Sequence, residues 1–307
     1  MNRIKLTLIL PLFLLFAARA FATEALPMEK VAEGIYVHHG VHEDLDEGYH
    51  GDIANIGFIV GSKGVAVIDS GGSLKVGQRL HESIRQVTQL PILYVINTHV
   101  HPDHVFGNAA FLQDKPVFVG HEKLPHAMAV RKDAYMRSNE KWLGADFAGS
   151  ELIPPTETVP DSQTLDLGDR TLELKAYPTA HTNTDITVLD SKTGTLWTGD
   201  LLFVERIPSI DGDIKGWLSA IKTVKSVPAR KVVPGHGPVV EDGKQAFDNE
   251  ARYLSVLLND VRSDIKKGIP MEKSMSTAAA SEKNNWKLFD IINRRNVNLI
   301  YPELEWE

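Results

Sequence analysis

The segment Thr98-His99-Val100-His101-Pro102-Asp103-His104 places three imidazoles and a carboxylate within six residues. The chain contains no cysteine, which excludes disulfides, thiolate nucleophiles, iron–sulfur clusters and Cys-based zinc sites. Any transition metal must then be held by His and carboxylates, and this segment offers both. In extended backbone the side chains at i and i+2 point the same way, so His99 and His101 can converge on one ion. Asp103 and His104 follow the Pro102 turn and can face a neighbouring ion. Two ions need further donors. His181 lies in Ala180-His181-Thr182-Asn183-Thr184-Asp185, Asp200 in Trp197-Thr198-Gly199-Asp200, and His236 in Pro234-Gly235-His236-Gly237. Each alone reads as an ordinary structural residue. Together with the first cluster they complete a dinuclear count. His99, His101 and His181 would serve one ion, Asp103, His104 and His236 the other, with Asp200 between them, because the two oxygens of a carboxylate can reach two cations. Asp69, ahead of Ser70-Gly71-Gly72, is expected to orient a ligand histidine, the alternative being a turn-forming Asp.

These residues need elements that end where they stand. Ile56–Val60 and Val65–Ile68 read as strands around a Gly61-Ser62-Lys63-Gly64 turn, the second ending at Asp69. Ser73 can cap a helix with Leu74, Leu80, Ile84 and Val87 on its apolar face, broken by Pro91. Ile92–Ile96 reads as a buried strand feeding the His-rich segment. A short helix is expected over Val105–Leu112, a strand over Val117–Val119 and helical period from His121 to about Gly144. A loop from Ile153 to Pro160 separates this half from a second one. There, strands are expected at Thr164–Leu167, Thr171–Ala176, Asp185–Leu189, Thr195–Thr198 and Lys231–Val233, with a helix at Trp217–Val227. A long amphipathic helix follows over Gly243–Lys267, with Phe247, Leu254, Leu258, Val261 and Ile265 on one stripe. The alternation predicts an α/β fold of two similar halves, sheet covered by helix, in one domain over residues 23–307.

With the H-x-H-x-D-H segment, the A-H-T turn, the T-G-D strand and the P-G-H-G loop in that order, the chain resembles the metallo-β-lactamase superfamily over roughly Gly51 to Val240. The resemblance implies an αββα sandwich with a zinc pair in its groove and, here, a C-terminal helical extension from about residue 243. It implies hydrolysis of an acyl bond (ester, thioester or amide) by water ionised on the metals, with Asp103 accepting the proton. An Asp at position 200 is similar to the glyoxalase II branch, and departs from the best-known β-lactamases, which carry Cys there. Where those enzymes often place a lysine to grip the lactam carboxylate, this chain has Phe203, with Arg206 and Lys215 on the same loop. Asp52-Ile53-Ala54-Asn55-Ile56-Gly57-Phe58 and Asp211-Gly212-Asp213-Ile214-Lys215-Gly216-Trp217 resemble exported members associated with quinoprotein (PQQ) dehydrogenase and sulfur-oxidation systems. The diiron members are similar to H-x-E-x-D, absent here, so zinc is expected in place of iron or manganese.

Composition narrows the rest. With 33 Lys and Arg against 40 Asp and Glu, the net charge is −7, and no basic excess is available to neutralise phosphates. That argues against nucleic acid and against a nuclease. Asn2-Arg3-Ile4-Lys5, the apolar run Leu6–Ala17 and Ala20-Phe21-Ala22 read as a signal peptide over residues 1–22, cleaved before Thr23. The apolar run is shorter than the ~20 residues a membrane span needs. The expectation is an exported, periplasmic enzyme that acts on a small molecule, without nucleic acid or membrane after cleavage. The rival readings are a metal-binding or redox-relay accessory protein without turnover, and a weak β-lactamase. His38, His39, His42 and His50 are expected to be solvated loop residues.

Overall fold

The structure is a computed structural model that describes residues 24–46, 48–241 and 243–307. The expected signal segment lies outside these residues. Among them, no helix is long and apolar enough to cross a membrane.

The first sheet has seven strands in the order of the chain: β1 (Glu29–Ala32), β2 (Ile35–His38), β3 (Ile56–Val60), β4 (Val65–Ile68), β5 (Ile92–Ile96), β6 (Val117–His121) and β7 (Glu157–Val159). The first four are antiparallel neighbours and the last three join in parallel. The second sheet has five, in the order β12 (Lys231–His236), β11 (Thr195–Phe203), β10 (Ile186–Asp190), β9 (Thr171–Ala176) and β8 (Ser162–Asp166). Only β11 and β12 are parallel.

Strand periodicity explains how the layers stack. All four residues of β4 are buried. Val65 and Val67 pack against Val76, Leu80 and Ile84 of helix α1 (Leu74–Val87), on the outer face. Ala66 and Ile68 point the other way, into a cluster shared with Leu174, Val188, Trp197 and Val233 of the second sheet. Along the chain, the short α2 (Pro102–Val105) and the longer α3 (Leu124–Leu143) follow α1 ahead of the second sheet. Helices α4 (Ile214–Val224), α5 (Gly243–Lys266), α6 (Met271–Thr277) and α7 (Phe289–Leu304) cover the far face of the second sheet through Trp217, Ile221, Phe247, Leu254 and Val297. The αββα order and the helical extension are as expected.

The sequence reading departs from the structure in several places, among them α4, which runs one turn earlier than the expected Trp217–Val227. The helix expected over Val105–Leu112 begins at Pro102, whose missing N–H suits a first helical position, and stops at Val105. The Gly107 N–H then bonds the carbonyl of Gly71, and a 3-10 turn follows over Asn108–Asp114. The Ile153–Pro160 loop contains β7, held by parallel pairing to β6. Helix α1 is capped by Ser73 and ends at Val87, ahead of Pro91, as expected, with Thr88 extended and its N–H bonded to the Ile84 carbonyl. Asp200, expected at a strand end, sits inside the nine-residue β11, which runs on to Phe203. Its pairing with β12 is irregular on both sides of Gly199.

Candidate metal centre

The ends of β4 and β5 build one side. Asp69 follows β4 with φ 54°, a left-handed conformation that Asp tolerates better than most residues. Its carboxylate accepts the Thr98 N–H at 2.8 Å and the Thr98 hydroxyl at 2.7 Å, and takes the Nδ1–H of His104 at 2.8 Å. Because the Thr98 hydroxyl donates to Asp69, it must accept from Nδ1 of His99, 3.0 Å away. In their neutral forms both imidazoles thereby carry the proton on Nδ1 and turn Nε2 inward. Behind them, the side-chain amides of Asn97 and Asn108 exchange hydrogen bonds at 2.7 and 3.1 Å and hold the loop to α2 and the turn after it.

The second sheet supplies the rest from three elements. His181 stands in the turn between β9 and β10. There Thr182 donates through N–H and hydroxyl to Asp185, whose carboxyl burial pushes up to about 6. Asp200 comes from the irregular stretch of β11. His236 ends β12 and donates from Nδ1 to the Ile53 carbonyl at 2.7 Å. Asn55 pins the same loop by donating to the carbonyls of Pro234 and Gly237 at 2.8 and 2.7 Å. Gly235 is required here, because a Cβ would stand 1.9 Å from Asp200 Oδ1.

These residues meet. His99, His101, His181 and Asp200 form one group and Asp103, His104 and His236 a second, the donor atoms within each lying within 4.8 Å of one another. Asp200 reaches across both. Its Oδ2 is 3.3 Å from Nε2 of His181 and of His236, and its Oδ1 is 3.2 Å from Nε2 of His104. His99 Nε2 lies 3.7 Å away, and Asp103 Oδ2 is 3.4 Å from His236 Nε2. His99 Nε2, His104 Nε2 and Asp200 Oδ1 are buried without hydrogen-bond partners. Buried lone pairs left so are costly, and divalent cations in each group would satisfy them. Electrostatics agree. Burial holds His99 well below its ordinary range, so it is neutral, as a metal ligand must be. For Asp200, burial opposes the charge, but His236, His104 and His99 outweigh it and hold the carboxyl well below its usual range. Burial likewise opposes charge on His104, yet Asp200, Asp103 and Asp69 raise it well above normal, which marks an excess of negative charge that cations would balance.

One residue that orients the centre was not assigned a role by the sequence reading. Nε2 of His101 donates to Asp211 at 3.0 Å, which turns Nδ1 toward His181 Nε2, also 3.0 Å away. Asp211 lies before α4 and is itself held by Arg131 of α3 at 2.7 Å. Burial would raise its carboxyl, but the His101 hydrogen bond and Arg131 bring it down to about 2. No spacing rule links residues so far apart in the chain. Contrary to expectation, His38 is no solvated loop residue: it is buried at the end of β2 and bonds Asp52 at 2.7 Å, while His39 bonds Glu29 at 2.7 Å. Phe203 stacks on His236 with ring centroids 4.9 Å apart, and Trp217 packs on His181 at 5.0 Å. Lys215 is paired with Glu307, whereas Arg206 faces the cleft above the centre.

The Metallo-beta-lactamase superfamily model matches residues 50–236. A metallo-beta-lactamase from Pontibacter korlensis has a TM-score of 0.59 at 20% identity, over 75% of this chain and 99% of its own. The stereoselective inverting sec-alkylsulfatase Pisa1 from Pseudomonas sp. has a TM-score of 0.68 at 15% identity, over 91% of this chain and 50% of its own. The linear primary-alkylsulfatase of Pseudomonas sp. (strain ATCC 19151) is 29% identical over 62 residues, 20% of this chain and 12% of that protein. The chain thus spans about half of the solved alkylsulfatase and a small part of the curated one.

Proposed function

The chain belongs to the metallo-beta-lactamase superfamily, and from that premise we propose that it is a dinuclear zinc hydrolase cleaving an acyl bond of a small molecule. The observation that carries this is Asp200, whose two oxygens face both donor groups at the floor of an open cleft. His99, His101 and His181 would hold one ion, Asp103, His104 and His236 the other, and Asp200 both. Two bound Zn²⁺ would polarise the scissile carbonyl and bring the pKa of water from ~15.7 toward ~7. Asp103 and Asp200 neutralise only part of their charge, so the centre stays electrophilic. Asp103 lines the cleft, and in this reading it would take the proton of the attacking water. Asp69 and Asp211 hold His104 and His101 in the tautomers that ligation requires.

Sulfate-ester hydrolysis is a second reading, favoured by the alkylsulfatase likeness over 91% of the chain. β-Lactam hydrolysis is a poorer fit on the resemblance, since this chain has Asp200 in place of the Cys, and the buried Phe203 in place of the lysine, of the best-known β-lactamases. We also infer export, from residues 1–22, and association with a quinoprotein dehydrogenase system, from the Asp52–Phe58 and Asp211–Trp217 motifs. The test is elemental analysis of zinc-reconstituted protein together with hydrolysis of ester, thioester, amide, cephalosporin and sulfate-ester substrates. Two ions per chain and turnover of an acyl substrate are expected, with cephalosporin kcat/KM below about 10⁶ M⁻¹s⁻¹. One ion or none would sink the dinuclear centre, and two ions without turnover would favour the accessory-protein reading.

A further inference from the structure

Asp211, which turns His101 toward the centre, stands between the end of β11 and the start of α4, in a stretch with no helix or strand of its own. Its place is therefore set by tethers on either side. Downstream, the Asp213 N–H donates to the Ala180 carbonyl at 2.9 Å, which ties the stretch to the turn that carries His181. Upstream, the tethers come from the C-terminal extension. The Ile207 N–H donates to the Lys287 carbonyl at 3.2 Å. Asn296 of α7 accepts the Ile210 N–H at 3.0 Å and donates to the Pro208 carbonyl at 2.7 Å. It also donates to the Tyr253 hydroxyl at 2.8 Å, and that hydroxyl donates to Asn293 at 3.0 Å. Asn296 is 1% exposed, and both hydrogens of its amide are used. A buried amide satisfied in this way holds its partners to one geometry, because each bond lost would leave a buried polar group unpaired. Ile210 directly precedes Asp211, so the amide fixes the backbone from which the Asp211 carboxylate reaches His101 at 3.0 Å. Arg131 holds that carboxylate from α3, and Asn296 holds its backbone from α7. Helix α7 lies beyond residue 236, where the superfamily match ends.

We propose that Asn296 is a positioning residue of the metal centre, acting through Asp211 on His101, so that the C-terminal extension strengthens zinc binding although it supplies no ligand. The inference rests on the metal-centre reading and deepens it. The hydrogen bond between Asp211 and His101 weakens steeply once its distance or angle departs from good geometry. A stretch freed at Pro208 and Ile210 lets the carboxylate drift, and His101 then loses the partner that turns its Nδ1 inward. The group of Asp103, His104 and His236 is supported instead by Asp69 and by the Ile53 carbonyl. Asn293, on the same helix, shares the network through Tyr253, but its amide donates to the Ala278 carbonyl at 3.0 Å instead of to the Asp211 stretch. It therefore serves as the control for a purely structural effect.

Chelator competition on the zinc-reconstituted full chain reads the zinc affinities, and thermal melts read stability. Asn296→Ala should weaken one zinc affinity about tenfold or more, the same one that Asp211→Asn weakens, and leave the other unchanged. In the Asp211→Asn background Asn296→Ala should cause no further loss of zinc affinity, because two substitutions that break one line of contact do not add. Asn293→Ala should lower the melting temperature through the Tyr253 network and yet bind zinc as the parent does. Near-UV circular dichroism checks that each variant is folded. Should the alanine variant of Asn296 not fold, Asn296→Asp, which keeps the acceptor for Ile210 but not the donor for Pro208, takes its place in the same cycle with the same expected outcome. A folded Asn296 variant that holds zinc as the parent does overturns the inference. So does a loss that adds in full to that of Asp211→Asn, or an equal loss of zinc affinity in Asn293→Ala. In each of these cases the metal-centre reading stands. A parent chain that takes up no zinc overturns that reading and the inference with it.

Discussion

His99, His101, Asp103 and His104 come from one loop of the first sheet, whereas His181, Asp200 and His236 come from three separate elements of the second. The loop is held from behind by groups adjacent to it. Asp69 satisfies Thr98 and His104 at once, and Asn97 and Asn108 lock to each other. On the second sheet each donor depends on distant backbone. His236 hangs on Ile53 and Asn55, and Asp200 has its room only because residue 235 lacks a side chain. A compact loop carries its own support, while scattered donors inherit theirs from strand pairing. Substitutions on the two sides should accordingly fail in different ways.

The largest effect is expected at the one residue both sides share. Asp200→Ala should lower kcat by more than about a hundredfold, since partners that merely orient ligands are worth 10–100-fold. Its melting temperature should change little by comparison. Steady-state turnover with metal analysis checks this, and wild-type kcat with two ions retained would remove Asp200 from the bridging position.

The two orienting carboxylates sharpen the contrast. Asp211→Asn should weaken metal binding about 10–100-fold with little loss of stability, because its side chain is 29% exposed and it supports one histidine. Asp69→Asn should weaken metal binding and also lower the melting temperature, because its buried carboxylate accepts from Thr98 as well as from His104. Competition with a chelator, run beside thermal melts, separates the two. Equal losses of stability would break the comparison.

Gly235→Ala should cost about 1–3 kcal/mol through overpacking, and should push Asp200 away from the His236 side. Denaturant unfolding reads the first effect and metal stoichiometry the second. An alanine variant with parental stability and two ions would show that β11 and β12 can part there without harm.

The smallest effect lies behind β11. Glu250 of α5 accepts the Phe203 N–H at 2.8 Å, and burial pushes its carboxyl well above the ordinary 4.5. The folded state keeps a proton that the unfolded chain releases above that value. Its contribution is therefore full below about pH 4.5 and declines as pH rises toward the folded-state pKa. Glu250→Gln keeps an acceptor for Phe203 and has no proton to lose. Relative to the parent, it should gain stability as pH rises above about 4.5 toward the folded-state pKa. A stability difference that does not vary with pH would mean that Glu250 is ionised in the fold.

Much of the centre was legible because its chemistry is local. H-x-H in extended backbone aims two imidazoles at one point whatever surrounds them, and strand ends flanked by Gly, Ala or Pro mark where donors can stand. Strands β3, β4 and β5 and helix α1 were legible for the same reason, as short apolar runs and a helical stripe. The edge strands β1 and β7 were not, because a strand of three or four residues has too little periodicity to stand out. Asp200 was visible as a residue but misplaced at a strand end, since the continuation of β11 to Phe203 is set by its partner β12.

By itself the sequence determined which atoms could bind metal, that thiolates were excluded, and that two helix-covered sheets would carry the donors. Those are properties of residue type and of spacing within a few residues. Only the tertiary structure decided which tautomer each histidine adopts, that Asp211 and Arg131 stand behind His101, and that Arg206 is buried at the edge of a cleft that α7 helps to wall. Each of these depends on a contact between elements far apart in the chain. Such contacts follow from how the layers pack, which no local pattern of residues encodes.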